Sequence, residues 1–560
     1  MRNVLEGVAI PVFLVGTLML GDTAGGIPRE GFNGATAFPQ AAPWQAGEVC
    51  YEVFVRSFQD SDGDGIGDLN GLTERLDYLN DGDPSTHTDL GVSCVWLMPV
   101  ARSGSYHGYD VIDYYRVDHR YGTEEDFRRF VEAAHHRGIR VLVDMVVNHT
   151  SAEHPYFRDA LVRTDSPFRG WYRFRPDPGP DNEWGDNNWH RSEFREEYYY
   201  GLFWRGMPDL DWNEPAVREE MKRIASFWLQ EMDVDGLRLD AVWHLVEDPV
   251  TGRAGHVPRT HDMLREYGDH VRSVKPDALT VGEVFDGTEA LLAYYPDQLD
   301  AYFAFSVSQG ILDAVRGGAG EVLSQAVTAL QSRVPNHRWA PFLRNHDQTR
   351  TMTVLQGDAA RAQLAATLLL TLPGIPFVYY GEEIGMTGDK PDPRIRTPMQ
   401  WEPRRGGGFT GGLPWEPLQG DSMTANVAVM DADPTSLLNH YRRLIHLRSR
   451  EPALWAGGSF LPLEAQGREM LAYLRARGEE RILVVVNLGD QPAAPSSLSV
   501  GTTVLGEGEY RLADLLGEPG FAGEGSGGAL RQEGGRLTGQ VLLDALPALS
   551  ARIYRLTPGA

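Results

Sequence analysis

Four apolar runs in this 560-residue chain stop at ionisable residues. Asp144, Asn148 and His149 close or follow IRVLVDMVV; Arg238 and Asp240 fall near the end of VDGLRLDAV; Glu283 sits in LTVGEVF; His346 and Asp347 follow WAPFLRN. Packing alone does not put charge at four run ends. Arg238 stands two residues before Asp240, and on a strand that spacing points both side chains the same way. The permanent guanidinium charge would keep the Asp240 carboxylate ionised, able to attack or stabilise an electron-poor carbon. Glu283 complements it only by holding a proton near neutral pH, which a neighbouring carboxylate such as Asp347 favours by repulsion. One ionised and one protonated carboxylate make a nucleophile and a general acid.

These residues need elements to position them. From residue 48 to about 450, eight strand-like runs alternate with helix-like stretches: VCYEVFVRSF, VSCVWLMPV, IRVLVDMVV, VDGLRLDAV, LTVGEVF, AYFAFSV, WAPFLRN and IPFVYYGEE. The helical stretches include 124–137, 215–232, 321–333 and 358–372. In the second, Val217, Met221, Ile224, Trp228 and Met232 recur at helical spacing, with Asn213 as N-cap and Pro215 in the first turn. Eight buried strands alternating with helices predict an α/β fold, a (β/α)8 TIM barrel, whose chemistry gathers at the C-terminal ends of its strands. Residues 149–213, which include five tryptophans (171, 184, 189, 204 and 212), read as an inserted domain after the third strand. A second insertion, 381–434, is rich in Gly and Pro. Barrel segments are therefore expected at 47–148 and 214–451. From 452 to 560 short strands such as MLAYLRA, RILVVVNL and SARIYRL, with Gly-rich turns, predict a C-terminal all-β sandwich.

Composition narrows the partners. The 78 acidic against 52 basic residues leave a net charge of −26, which repels phosphate backbones and disfavours nucleic-acid binding. Residues 1–25 carry Arg2 and an apolar run from Val8 to Gly21, shorter than a membrane span and suited to a signal peptide. The expectation is a secreted or periplasmic protein, a monomer with no membrane attachment once that segment is removed; residues 26–46 read as a linker. The two cysteines, Cys50 and Cys94, each sit in a buried strand-like run and are expected as free thiols.

Segments DMVVNH (144–149), GLRLDAVWH (236–244), GEVF (282–285) and FLRNHD (342–347) resemble, in order and in position, the four diagnostic regions of the α-amylase superfamily. The resemblance covers nearly all of residues 48–450. It implies retaining hydrolysis of α-glucans such as starch and maltooligosaccharides, with Asp240 as nucleophile, Glu283 as acid/base and Asp347 gripping sugar hydroxyls in the −1 subsite, where the cleaved glucose sits. Retention requires the two carboxyl groups about 5–5.5 Å apart. By the same resemblance, Asp144 orients Arg238. His149 and His346 bind hydroxyls of the −1 sugar, and His107 and Tyr109 in SYHGYD form another −1 pair, the Tyr ring stacking on the sugar face.

The segment DSDGDGIGD places Asp60, Asp62, Asp64 and Asp68 at positions 1, 3, 5 and 9 and the Ile66 carbonyl at 7, with glycines between. This resembles the start of a Ca2+-binding loop, and oligo-1,6-glucosidase-like relatives carry a structural calcium there. Gly71 stands at position 12 where a helix–loop–helix calcium hand has Glu. A second calcium is implied at Asn148 and the backbone carbonyl of His244, with further ligands from the insertion.

Three features point within the superfamily to bacterial α-amylases intermediate between oligo-1,6-glucosidases and neopullulanases. They are MPDLD (207–211), Ala241 after the nucleophile, which goes with α-1,4 preference, and His107 where exo-acting α-glucosidases carry Asp. Against them, RIRTPMQW (394–401) followed by GGGFT resembles an α-glucosidase loop in which an Arg matching Arg396 pairs with that Asp. Exo action, neopullulanase-like activity and transglycosylation stay open. So does a non-catalytic role as a transporter-associated homologue, which a filled catalytic set disfavours.

Overall fold

Side chains that alternate along a strand divide the barrel interior into layers. The computed structural model describes Trp44 and residues 47–559, except 183, 249–250, 318–319, 466, 468, 495–496, 500–504, 517–525 and 540–544. The expected signal peptide and nearly all of the expected linker lie outside the described residues. A parallel sheet joins β1 (Cys50–Val53), β2 (Cys94–Leu97), β3 (Arg140–Met145), β4 (Gly236–Leu239), β5 (Leu279–Gly282), β6 (Ala301–Tyr302) and β7 (Phe377–Tyr379). The run WAPFLRN forms no ladder, because Pro341 has no N–H to give. It joins instead through parallel bridges Phe303↔Ala340 and Phe342↔Phe377, so the gap between β6 and β7 is bridged and the barrel closes.

The lower interior layers are apolar. Cys50, Cys94, Trp96, Leu142, Leu279, Val281, Ala301, Phe303, Ala340, Phe342 and Phe377 form one buried cluster. Two residues beyond Cys50 on β1 and Leu142 on β3 the inward positions become Glu52 and Asp144, and β4 adds Arg238 and, just past its end, Asp240, all buried. The period of two thus stacks a charged layer on an apolar floor.

The cysteines depart from expectation. Cys50 and Cys94 are direct register partners on β1 and β2, with Cα atoms 4.3 Å apart, and their sulfurs are bonded. Both runs are buried as read, but the register that puts the two thiols side by side is not written in either run alone.

The helices wrap the sheet: α1 (Glu124–His135), α2 (Pro215–Ser226), α3 (Pro258–Val274), α4 (Phe305–Gly317), α5 (Gly320–Arg333), α6 (Ala359–Thr371) and α7 (Leu437–Arg450). In α2, Val217, Met221 and Ile224 are buried as the spacing predicts, and a π-helical turn at Phe227–Glu231 carries Trp228 inward. Its N-cap is Glu214, not Asn213: Pro215 takes the first helical position, and the Glu214 carboxylate accepts from the Ala216 N–H at 3.3 Å. No helix among the described residues is long and apolar enough to cross a membrane.

The insertion after β3 contains a helix (Pro155–Val162) and a three-stranded antiparallel sheet of Phe174–Arg175, Tyr198–Tyr200 and Trp189–Arg191. Backbone bridges His149↔Asp209 and Tyr172↔Leu210 tie its return to the end of β3. Beyond α7, eight antiparallel strands close on themselves: β8 (Ser459–Ala465), β9 (Met470–Arg477), β10 (Glu480–Asn487), β11 (Leu498–Ser499), β12 (Gly508–Asp514), β13 (Ser526–Glu533), β14 (Arg536–Thr538) and β15 (Ser550–Pro558). The expected two-layered all-β domain is there, and the pairs β8–β11 and β11–β14 seal its edges into a barrel around Leu474, Leu483, Leu512 and Leu530.

Candidate active site

Register assembles the first contacts. Asp144 on β3 and Arg238 on β4 are direct cross-strand partners. Arg238 is fully buried, and its Nη1 donates to both Asp144 oxygens (2.8 and 2.9 Å) and to Asp240 Oδ1 (2.8 Å). Its Nη2 lies 2.8 Å from Glu283 Oε2. One rigid guanidinium therefore spaces both candidate catalytic carboxylates, while Asp144 fixes the guanidinium from behind. Glu283 Oε2 also accepts from the Ala241 N–H at 3.2 Å. Ala241 is left-handed (φ 48°), a conformation that turns the chain sharply after Asp240 and aims that N–H at Glu283.

Burial pushes the Glu283 carboxyl up, and the Asp240 and Asp347 charges push the same way against Arg238, the direction a proton donor requires. Asp347 goes the other way. Its side chain is half exposed on the cavity, and against the desolvation it meets there His346 and Arg396 hold it well below the usual carboxylate range, from contacts of 3.1 Å (His346 Nε2) and 2.8 Å (Arg396 Nη2).

His346 itself is buried, which opposes its charge, but Asp347 and Glu52 overcome that and raise it to about 10. Glu52 Oε1 sits 2.5 Å from Nδ1, while Nε2 is 2.6 Å from the Tyr109 hydroxyl. Tyr109 in turn donates to Asp144 Oδ2 at 3.0 Å and stacks on His346, and the His107 ring stacks on Tyr109. The Tyr109 N–H donates to His107 Nδ1 at 3.1 Å, and burial lowers the His107 pKa, keeping that imidazole neutral. His149 is buried, with Nε2 3.2 Å from the Tyr109 carbonyl.

A cavity of about 380 Å³ is lined by His107, Tyr109, His149, Asp240, Ala241, Glu283, Asp347 and Arg396, so it brings together most of the catalytic and sugar-binding residues expected from sequence. Asp144, Arg238 and His346 stand behind that wall. Arg396 is not left without a partner. It pairs with Asp347 and with Asp392 (3.3 Å), and its Nε donates to the His346 carbonyl at 2.9 Å. Sequence reading passed over Glu52, whose signal was a lone carboxylate two residues after Cys50 in an apolar run, and over Phe203, Trp243, Phe285 and Asp392, which line the same cavity.

The acidic loop after β1 is wound about Asp60. Its carboxylate accepts from the N–H groups of Gly63 (2.7 Å), Gly65 (2.8 Å) and Asp62 (3.1 Å), and from the Thr410 hydroxyl. Gly65 has φ 93°, and a Cβ there would fall 1.9 Å from the Leu413 carbonyl oxygen, so only glycine serves. Oxygens of Asp60, Asp62 and Asp68 lie within 4.8 Å of one another, the one such acidic, His or Cys group among the described residues. Asp64 stands outside the group and accepts from the half-buried Ile66 N–H at 2.7 Å. No Lys or Arg forms an ion pair with these four aspartates among the described residues, a donor set that fits a hard divalent cation.

Among the described residues no second group of His, Cys, Asp or Glu side chains gathers near Asn148 and the His244 backbone carbonyl. The Asn148 carbonyl accepts from Leu210 N–H at 2.9 Å, and His244 Nδ1 is 2.5 Å from the Ala254 carbonyl. Asn148 also hydrogen-bonds Asp209, and there Arg173 brings a cation of its own, 3.9 Å from Asp209 Oδ2 and paired with Glu247.

The model of the α-amylase catalytic domain matches residues 52–457. α-Amylase 3 of Dictyoglomus thermophilum is 40% identical over 452 residues, covering 80% of this chain and 85% of its own length. An oligo-1,6-glucosidase of Parageobacillus thermoglucosidasius is 32% identical over 521 residues, covering 80% and 91%. A trehalose synthase/amylase of Mycolicibacterium smegmatis is 33% identical over 503 residues, covering 80% and 83%. Among solved structures, an α-amylase from H. orenii superposes with a TM-score of 0.78 at 37% identity, over 91% of this chain and 99% of that one. With the barrel, the buried Arg238 cluster and these likenesses together, the chain belongs to the α-amylase family of glycoside hydrolases that act on α-glucans.

Proposed function

We propose that the protein is an α-amylase that cleaves internal α-1,4 bonds of starch and maltooligosaccharides with retention of configuration. The observation that carries this reading is Arg238, which reaches Asp240 with one nitrogen and Glu283 with the other. Asp240 attacks C1 of the −1 glucose as the C1–O bond breaks, and Glu283 passes its proton to the leaving oxygen. Glu283, now ionised, takes a proton from water. The oxygen of that water attacks C1, releasing Asp240 and restoring the α-anomer. Asp347, held ionised by His346 and Arg396, accepts hydrogen bonds from sugar hydroxyls, and Tyr109 offers its ring to the sugar face.

A product time course on soluble starch tests the endo reading, with the anomer followed by NMR. Long oligosaccharides at early times and an initial α-anomer are expected; glucose alone from the first time point, or a β-anomer, overturns it. Undiminished hydrolysis by Asp240→Asn would sink the mechanism and favour a non-catalytic role.

One observation favours an exo-acting or transferring enzyme instead. Arg396 and Asp392 line the same cavity as the triad, and their pairing crowds the −1 end. Glucose release or longer transfer products in the same time course would support that reading.

The reading includes one structural calcium, held by Asp60, Asp62 and Asp68 with the Ile66 carbonyl, that braces the loop after β1. It also includes export, supported by the apolar N-terminal run and by the Cys50–Cys94 disulfide, since disulfides persist in oxidising compartments.

A further inference from the structure

A buried carboxylate that touches no substrate still needs a cation to match it. Glu52 is 2% exposed and lines no part of the catalytic cavity. No Lys or Arg forms an ion pair with it among the described residues; its partner is His346 Nδ1, 2.5 Å from Oε1. The other ring nitrogen is fixed as closely, with Nε2 2.6 Å from the Tyr109 hydroxyl and 3.1 Å from Asp347 Oδ2.

The protons on that ring follow from its partners. Both Asp144 oxygens accept from Arg238, and the Tyr109 hydroxyl directs its single hydrogen to Asp144 Oδ2 at 3.0 Å. Tyr109 therefore accepts from His346 Nε2, which must carry a hydrogen, and Nδ1 needs another to meet the Glu52 carboxylate. A ring with a hydrogen on each nitrogen is an imidazolium. Burial opposes that charge, yet Asp347 and Glu52 together raise the His346 pKa to about 10.

The charges facing the ring are divided. Asp144, Glu283 and Asp347 favour a cation there, whereas Arg238 and Arg396 oppose it and the Trp96 ring packs against it edge-on. Loss of the Nε2 proton would set a lone pair against Asp347 Oδ2. It would also draw the Tyr109 hydrogen away from Asp144, the residue that fixes Arg238.

We infer that Glu52 is a positioning residue for catalysis, acting through His346. It keeps that ring doubly protonated, so that Asp347 meets the −1 sugar as an acceptor and Tyr109 stays turned toward Asp144. The inference rests on the glucanase reading above.

Two measurements test it. In protein labelled with 15N-histidine, with His346 assigned by its loss in His346→Asn, NMR is expected to show both ring nitrogens protonated at pH 7. A neutral His346 at pH 7 overturns the inference, whether or not any sugar is cleaved. The second measurement is kcat/KM against pH on α-maltotriosyl fluoride, whose leaving fluoride does not wait for the Glu283 proton. Between pH 7 and 9 the wild type is expected to stay level, while Glu52→Gln falls about tenfold as His346 loses its proton. Glu52→Asp, which keeps a carboxylate, is expected to fall less. A Glu52→Gln profile as level as the wild type, or lowered equally at every pH, overturns the inference. A wild type that cleaves neither this fluoride nor starch overturns the glucanase reading instead, and leaves the NMR result standing.

Discussion

A guanidinium that touches three carboxylates at once is a geometric device as much as a charge. Arg238 reaches Asp144, Asp240 and Glu283 from a position with no exposure to solvent. Lysine in its place keeps the charge but offers a single nitrogen, which cannot hold two carboxylates apart at fixed spacing. Arg238→Lys is therefore expected to lose about 10²-fold or more in kcat while remaining folded, measured by steady-state kinetics beside circular dichroism; near wild-type kcat would show that spacing does not depend on the fork. His346 carries a second prediction. Its imidazole in the folded protein is raised to about 10, above the value of about 6.5 expected when unfolded. The stabilisation is complete below pH about 6.5 and drains away as pH rises toward 10, because the unfolded chain releases its proton first. Glu52→Gln removes one of the two carboxylates that sustain the charge, so Tm should fall less steeply between pH 7 and 10 than in the wild type. Parallel Tm–pH curves for the two proteins would refute the role of Glu52.

Elements explain which of these residues could be read from the chain and which could not. Asp240, Glu283, Asp347 and their neighbours were legible because each ends an apolar run, and a parallel barrel brings the ends of all its strands to one face. Glu52 was not, because it lies inside its run, and only the inward alternation of β1 beneath His346 gives it a purpose. Cys50 and Cys94 show the same limit: burial was readable from the runs, cross-strand register was not. The Glu214 cap needed only the rule that a proline at the first helical position moves the cap to the residue before it. The loop after β1 is the element most exposed to test. It packs against the 409–413 segment, with Asp60 N–H donating to the Phe409 carbonyl at 3.0 Å and Trp415 N–H to Gly65 at 2.9 Å. If a cation neutralises Asp60, Asp62 and Asp68, EDTA should lower Tm by several degrees, and metal analysis should return about one calcium per chain. In Asp62→Ala, whose side chain is the exposed member of the three, the EDTA effect should shrink. An EDTA-insensitive Tm in metal-loaded wild type would remove calcium from the account.

At the scale of the whole molecule, the question is what the C-terminal barrel does for the catalytic one. The two meet at the end of α6, where helix carbonyls need partners. Arg475, on β9 and fully buried, donates to the carbonyls of Thr371, Trp455 (2.7 Å), Ser459 (3.1 Å) and Gly458 (3.2 Å), while the Tyr473 hydroxyl lies 2.5 Å from Thr371 Oγ1. From α7, Arg448 takes the carbonyls of Leu370 (2.8 Å), Leu372 (2.9 Å) and Gly374 (2.6 Å). Burial and the Arg448 charge both pull the Arg475 pKa down, so two desolvated cations stand close together, stabilised by the carbonyl dipoles around them and, at Arg448, by the Glu48 charge. A joint of this kind fits a structural brace better than a mobile sugar-binding module. Arg475→Met keeps much of the stem's volume but strips the donors, leaving buried carbonyls unpaired at a cost of about 3 kcal/mol. Calorimetry should then show a lower Tm, with kcat on maltoheptaose at 25 °C unchanged because Arg475 touches none of the residues around Arg238. A variant with wild-type Tm and weakened binding to insoluble starch would instead make the C-terminal barrel a substrate-binding module.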